Sequence, residues 1–250
     1  MDVYEAIKQR RSIRKYLDKP VEWEKVSSVI DAGRLAPSSG NIQNWKFIVV
    51  NDTDKRKELA EAALKQVWIE TAPVLIVVCA EPVTAGRFYN NRGEELYTKQ
   101  NCAAAIENML LEATELGLGT CWVGAFEEKM VKKTLGVESK VEVHAIITLG
   151  YAAEEVPEPA NFPLEHVTYF NGWMGKIKDV PGYMGWQSMK NPARIEKAKE
   201  VSKTAGEKAA QAGKEIGKKA RDIYENIASR IKAKKEKQKI MKEYEKIYGK

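Results

Sequence analysis

Three stretches of this 250-residue chain bring polar or small residues close enough together to meet a ligand. The first is Arg10-Arg11-Ser12-Ile13-Arg14, which offers three guanidinium groups and a hydroxyl at the end of an amphipathic segment. Guanidinium groups donate in a planar fork that matches phosphate or carboxylate oxygens, so the segment is a candidate anion site. With Lys8 and Lys15 beside it, the same run also fits a solvated basic helix end. The second stretch is Ala36-Pro37-Ser38-Ser39-Gly40-Asn41-Ile42-Gln43-Asn44-Trp45. Its small residues let a ligand approach the backbone, and its hydroxyls and amides donate and accept without charge. That set suits the polar edge of a heterocycle or a polyol chain, and it equally fits an ordinary turn. The third stretch, Gly117-Leu118-Gly119-Thr120-Cys121-Trp122-Val123-Gly124-Ala125-Phe126, is glycine-rich but has no GxGxxG pattern after a strand. A dinucleotide-binding Rossmann domain is therefore not expected, and neither a P-loop nor a GxSxG elbow is present.

Ordinary catalytic side chains are scarce. Cys79, Cys102 and Cys121 are far apart and form no CxxC pair, which fits a reducing, cytoplasmic setting better than a disulfide framework. Cys121 has no nearby histidine to activate it, so a buried small side chain is the expected role. His144 and His166 are isolated from each other and from the cysteines, and no metal site is readable.

These stretches need elements to hold them. Val3, Ala6 and Ile7 have helical spacing, so residues 2–16 read as a first helix running into the arginine cluster. Trp23, Val26, Val29, Ile30 and Ala32 mark a second helix that stops near Gly33 or at the APSSGN turn. Residues 46–51 (KFIVVN) read as a strand, and Asp54 as the cap of a helix running to about Gln66. Residues 74–80 (VLIVVCA) are nearly all apolar, the pattern of a central strand buried on both faces. Residues 81–99 contain Gly86, Asn90, Asn91 and Gly93 and read as a mobile loop or short helical lid. Residues 100–116 form the most apolar helix, ended by Gly117 and Gly119. A short strand or turn at 121–125, a helix at 127–135 and a strand at 143–150 follow. Pro157, Pro159 and Pro163 break regular structure over 151–164. Strands separated by helices with long-range returns give a mixed α/β or α+β layer.

Charge divides the chain unevenly. Residues 190–250 hold 19 Lys and Arg against 9 Asp and Glu, whereas the remainder holds 22 against 26. A mildly acidic globular part is thus joined to a basic tail. In the tail, apolar or small residues recur from Ile195 through Ala198, Val201, Ala205, Ala209, Ala212, Ile216, Ala220, Ile223 and Ile227 to Ile231 at helical spacing. An eleven-residue period (Ala205, Ile216, Ile227) loosely resembles desiccation-protein helices. A solvated helix packed on the domain or its mate, a peripheral membrane helix, and a non-specific nucleic-acid arm all fit such a segment. The narrow stripe weakens the second, and the absence of a base-reading motif weakens the third. No run of about 18 apolar residues exists, and the N-terminus lacks the apolar core of a secretory signal.

Taken together, RRSIRKY, LAPSSGNIQNWKFIVV and QNCAAAIENMLLEATELGLGTCWVGAF resemble, in order and spacing, the flavin-binding segments of the nitroreductase family. RGEELY at Arg92–Tyr97 is similar to the short bacterial and archaeal members. The resemblance spans residues 1–175, with 176–190 as a linker and 191–250 as a basic amphipathic helical extension. It implies an α+β, three-layer fold with a mixed central sheet flanked by helices, assembled as a homodimer, plus a long C-terminal helix. It further implies an FMN-dependent oxidoreductase that passes hydride from NADH or NADPH to a small-molecule acceptor such as a nitroaromatic or quinone, by a ping-pong mechanism. Specialised flavin chemistry, such as reductive dehalogenation or flavin fragmentation, remains an alternative on the same fold. So does a flavin-binding module tethered to a membrane or partner through its tail. On the family pattern Arg10, Arg11 and Ser12 would contact the FMN phosphate and ribityl chain, and Arg14 the N1/O2 edge of the ring. Pro37, Ser38, Ser39 and Asn41, with Gln43 close by, would come from the other subunit, and Gly124 and Ala125 would lie near N5. One departure stands out: the segment Pro159–Glu165 carries no Lys or Arg, whereas the family commonly places a basic residue there for the phosphate.

Overall fold

The run VLIVVCA, β2 (Val74–Ala80), is buried at every position and sets the centre of the molecule. The computed structural model describes residues 1–176. Antiparallel partners flank β2 on both sides: β1 (Trp45–Val50), with Trp45 opposite Ala80, and β4 (Glu142–Gly150), with Val74 opposite Leu149. β3 (Gly119–Val123) pairs with the far side of β4, giving the order β1-β2-β4-β3. Side chains alternate across a strand, so each apolar strand feeds two cores. Ile76 and Val78 join one face with Ile147 and Leu149, while Leu75 and Val77 join the other with Ile146. Between Val78 and Cys79 the register slips, and His144 becomes the extra residue of a bulge in β4.

Helices cover both faces and make three layers. α2 (Trp23–Arg34) and α5 (Thr98–Glu115) supply Val26, Val29, Ile106, Met109 and Leu110 to the first core. α3 (Thr53–Ala62) and α6 (Glu128–Leu135) supply Leu59, Ala60 and Val131 to the second. The expected α+β, three-layer architecture is present. The four strands are antiparallel throughout, and the parallel component of the mixed sheet is an isolated bridge from Ser12 to Thr120.

Several boundaries differ from the sequence reading for local reasons. α1 (Val3–Gln9) stops well short of residue 16. Beyond it the chain runs along the sheet edge, where Ile13 N–H donates to Thr120 O at 2.8 Å and Leu17 N–H to Tyr151 O at 2.9 Å. Burying Ile13 and Tyr16 against the sheet outcompetes the helical pattern. The α3 cap is Asp52, which accepts from Lys55 N at 2.9 Å, and not Asp54. Residues 81–99 are mostly helical: α4 (Pro82–Arg92) runs into a wide turn at Gly93–Tyr97 and then directly into α5. The glycines that suggested a loop there serve packing, with Gly86 against Glu94 and Gly93 against the Ala85 carbonyl. β3 begins at Gly119, ahead of Cys121, where it pairs with Gly150, and a Cβ at Gly119 would lie 2.9 Å from Ile13 Cγ1.

The first compact unit ends at Ala160, and a second begins at Asn161. The described part of the second contains α7 (Leu164–Val167) and an edge-to-face pair, Tyr169 and Trp173, with centroids 5.1 Å apart. The linker at 176–190, apart from Lys176, and the basic extension at 191–250, with its suggested membrane contact, lie outside the described residues. Among the described residues no helix is long and apolar enough to cross a membrane.

Met109 is fully buried where α5 crosses α2, and its side chain fills the space over Gly33. Met109→Ala is expected to lower unfolding stability by about 2–5 kcal/mol, the usual range for emptying a core site of this size. Urea denaturation measures it.

Candidate functional site

Residues 10–14 lie along the outer edge of β3. The parallel bridge from Ser12 to Thr120 fixes their register, and the Glu154 carboxylate holds them from below. Glu154 Oε1 accepts the backbone N–H of Arg14 at 2.6 Å and that of Lys15 at 3.0 Å. Tyr16 closes the segment: its buried hydroxyl donates to Ile13 O at 2.7 Å and lies 2.6 Å from Thr148 Oγ1. Burial pushes the Tyr16 phenol well above its usual range, so the hydroxyl stays protonated as a donor.

The three guanidinium groups are held differently. Arg10 Nε lies 3.7 Å from Glu107 Oε1 of α5. Arg11 turns back and donates through Nη1 to the carbonyls of Lys8 at 2.6 Å and Arg10 at 2.8 Å, closing the α1 C-terminus. Its Nε is buried without a hydrogen-bond partner. Arg14 is exposed and lies 5.8 Å from the Trp68 ring centroid, a cation–π contact.

Gly124 and Ala125 follow β3 on the same side. The Ala125 carbonyl accepts from Gln66 Nε2 at 3.4 Å, and two residues on the Glu127 N–H donates to Ala62 O at 2.8 Å. A Cβ at Gly124 would approach nothing closer than Trp122 Nε1 at 4.0 Å. Packing among the described residues therefore does not demand glycine at 124. Arg14, Trp68, Gly124 and Ala125 thus belong to one region, at the β3 edge.

The Pro37–Gln43 segment is elsewhere. It precedes β1, and Gly40, Asn41 and Gln43 all take positive φ, at 55°, 57° and 51°. Such a run is held only when its surroundings over-determine it. Ser38 Oγ accepts Gln43 N–H at 3.1 Å, and Gln43 Nε2 donates to Asn41 Oδ1 at 2.9 Å. Ser39 is fixed by Asn101 of α5, whose Oδ1 accepts the Ser39 N–H at 2.9 Å and its hydroxyl at 3.2 Å. Tyr89 of α4 seals the back, since a Cβ at Gly40 would lie 2.7 Å from its Oη.

Within one chain these two groups attach to different parts of the sheet. Ser12 aligns through Thr120 and Leu149 with Val74, whereas Trp45 aligns with Ala80, six residues further along β2. At ordinary strand spacing Ser12 and Trp45 are about 20 Å apart along the sheet and about 19 Å across it, while α5 passes between the groups and touches Arg10 through Glu107 and Ser39 through Asn101. The sequence reading named the segments but missed their supports. Glu154 and Trp68 carry no local signal; Asn101 does, as a polar residue on the buried face of the most apolar helix.

Among the described residues the cysteine thiols are held in their protonated form. Desolvation raises the Cys79 thiol to about 11 and the Cys102 thiol to about 12. It also raises Cys121, although Arg14, Ser12 and Arg10 pull the other way. Burial lowers the His144 imidazole and favours its neutral form. Among the described residues no cluster can hold a metal ion.

Comparisons with known proteins identify the family. The nitroreductase family model matches residues 7–151, and the chain belongs to that family. It is 38% identical over 150 residues to a putative NADH dehydrogenase/NAD(P)H nitroreductase of Archaeoglobus fulgidus, covering 58% of this chain and 83% of that protein. A crystal structure of a putative NADH dehydrogenase/NAD(P)H nitroreductase from Parabacteroides distasonis superposes with a TM-score of 0.61 at 31% identity, over 68% of this chain and 98% of the other. An FMN-dependent nitroreductase from Clostridium difficile superposes with a TM-score of 0.58 at 32% identity, over 67% and 98%.

The raised thiols make a prediction about alkaline stability. A folded-state value above the unfolded one contributes fully below the unfolded pKa and is lost as pH rises. Here the loss falls between the ordinary thiol value of 9.0 and about 11 to 12. Urea denaturation should show a lower midpoint at pH 10.5 than at pH 7.5. The fall should be smaller in the Cys79→Ala/Cys102→Ala double variant.

Proposed function

We propose that this nitroreductase-family protein is an FMN-dependent oxidoreductase that takes hydride from NADH or NADPH and delivers it to a nitroaromatic, a quinone or a related acceptor. Donor and acceptor would occupy one face in turn, in a ping-pong cycle. The observation that carries the reading is the pair of complementary half-sites on one family scaffold: a cationic edge at Arg10–Arg14 and an uncharged hydrogen-bonding loop at Pro37–Gln43. The relatives named above as NAD(P)H nitroreductases, and as FMN-dependent in one case, support the same activity.

The residues present fit FMN. Arg10, Arg11 and Ser12 would hold its phosphate and ribityl chain, and the buried, unpartnered Arg11 Nε is a donor suited to such an acceptor. Arg14 would face the N1/O2 edge, where a cation favours negative charge on the ring, the logic of an oxyanion site. Pro37, Ser38, Ser39, Asn41 and Gln43 would hydrogen-bond the polar edges of the ring and chain. Gly124 and Ala125 would leave the reactive edge uncovered, which accounts for a glycine that packing does not require. FMN, when bound, supplies the hydride-carrying chemistry that no side chain here can perform.

The protein would work as a homodimer, in which one FMN meets the Arg10–Arg14 edge of one protomer and the Pro37–Gln43 loop of its partner. Val3 and Ile7 on α1 are exposed apolar residues beside Arg10 and suit an interface.

Purified protein should bind FMN, turn yellow and oxidise NADH or NADPH when a quinone or nitroaromatic is supplied, with parallel double-reciprocal plots. A colourless protein that binds no added FMN would sink the proposal. Arg14→Ala is expected to lower kcat/KM by roughly 10–100-fold, as losing one charge-stabilising donor does. The shared site has its own test. Mixing inactive Arg10→Ala/Arg14→Ala protein with an inactive Ser39→Trp variant should restore roughly one quarter of wild-type activity, because random pairing of symmetric dimers rebuilds one intact site in half of them. No recovery after verified subunit exchange would place both half-sites in one protomer.

A further inference from the structure

A line of buried polar side chains runs from the Ser38–Gln43 loop to the base of α4. Asn101 Oδ1 accepts the N–H and hydroxyl of Ser39 at 2.9 and 3.2 Å. Asn101 Nδ2 donates to Asn44 Oδ1 at 3.0 Å. Asn44 Nδ2 donates to Thr98 Oγ1 at 3.0 Å and to the Glu81 carbonyl at 3.3 Å. Thr98 Oγ1 then donates to the Gly93 carbonyl at 2.9 Å, which also receives the Thr98 N–H that closes the wide turn. Asn44, Thr98 and Asn101 are all buried, at 2%, 0% and 3% exposure.

The two ends of this line fix its direction independently. The Glu81 carbonyl can only accept, so Asn44 must turn Nδ2 towards it and Oδ1 towards Asn101. The Ser39 N–H can only donate, so Asn101 must turn Oδ1 towards the loop and Nδ2 towards Asn44. Both requirements give the same arrangement, and every donor points from the loop to the turn. Aligned hydrogen bonds polarise one another in a dry interior, so the chain behaves as a unit. Its far end is mechanically special: a wide turn at Gly93–Tyr97 follows Asn90, whose φ of 50° and ψ of −146° interrupt α4. α4 returns to the loop through the contact of Tyr89 with Gly40.

We propose that Asn101 is a positioning residue that locks the cofactor-facing loop and the base of α4 into one cooperative element, so that FMN binding tightens α4 and loosening α4 weakens FMN binding. The ligand half of this statement rests on the proposed function; the mechanical half stands without a ligand. Asn101 does not touch the cofactor in this scheme. It acts through Ser39, and its effect reaches the helix that borders the loop.

The test is amide hydrogen exchange on the full chain, with and without FMN, in wild type, Asn101→Asp and Thr98→Val. Asn101→Asp keeps the acceptor for Ser39 and sets a carboxylate oxygen against Asn44 Oδ1, so the line breaks with almost no change in volume. Thr98→Val breaks it at the far end, without touching the loop. Both variants should speed ligand-free exchange roughly tenfold in residues 38–43 and 82–97 together, as the loss of a buried hydrogen bond predicts. Thr98→Ser, which keeps the hydroxyl, should restore wild-type exchange. Both broken variants should also bind FMN about tenfold more weakly, and FMN should protect residues 82–97 in wild type but not in them. If Thr98→Val changes exchange only around residues 93–98, the coupling is absent and the inference falls. If loop exchange rises while FMN affinity is unchanged, the link to binding falls. If wild type binds no FMN, the proposed function fails, and the ligand-free comparison still decides the coupling.

Discussion

The structure depends on one strand having no wet face. β2 is buried at all seven positions, so its neighbours must supply hydrogen bonds on both edges and helices must cover both sides. With β1 and β4 on the two edges of β2, β3 adds beyond β4. That order determines where polar residues can stand. The segment after α1 reaches the sheet at its one remaining edge on the β3 side, and the loop after α2 enters it at the opposite corner. A scaffold needed to build an apolar core thereby attaches the two polar segments to different parts of the sheet, with α5 touching both, at Glu107 for Arg10 and at Asn101 for Ser39.

The same dryness decides what chemistry is possible. Cys79 and Cys102 belong to the core, and desolvation holds their thiols protonated. Cys121 sits beside cations that would favour a thiolate, yet burial dominates. His144, pushed out as a bulge residue, is held towards neutrality by the same cost. What remains at the surface of the site is a set of guanidinium groups, amides and hydroxyls. These bind and orient, and they supply no electrons. In a flavin-dependent oxidoreductase of this family such groups can orient and polarise, and the flavin supplies the redox chemistry.

Much of this was legible in the sequence because burial leaves a periodic trace. The strand at 74–80 and the helices around Val26, Ile106 and Val131 show it. Where backbone pairing across long sequence distance decided the outcome, the trace failed. Residues 11–16 carry a helical pattern, and only Thr120 and Tyr151, more than 100 residues away, pull them out straight. Over 81–99 the sequence left loop and helical lid both open, and the structure takes the helical one: Gly86 and Gly93 look like loop residues, but their missing side chains let Glu94 and the Ala85 carbonyl pack closely. For the site, composition identified which segments could bind. It could not show that they lie at opposite corners, nor that Glu154 holds one and Asn101 the other, since those contacts span 140 and 62 residues.

The polar line through Asn44, Asn101 and Thr98 is not needed for stability as such, since buried polar groups are often replaceable by apolar ones of similar volume. What an apolar substitute cannot do is discriminate. A methyl group packs against Ser39 in many orientations, whereas an amide with both its ends committed accepts only one. The loop it holds has three positive φ angles within four residues, a conformation that relaxes unless something specific opposes it. Placing that opposition in the core fixes the loop backbone from behind, while Ser38, Asn41 and Gln43 brace one another on its exposed side. It also couples the loop to whatever shares the core contact. Here that is the turn at the base of α4, so rigidity at the binding loop and seating of the neighbouring helix are drawn from the same few hydrogen bonds.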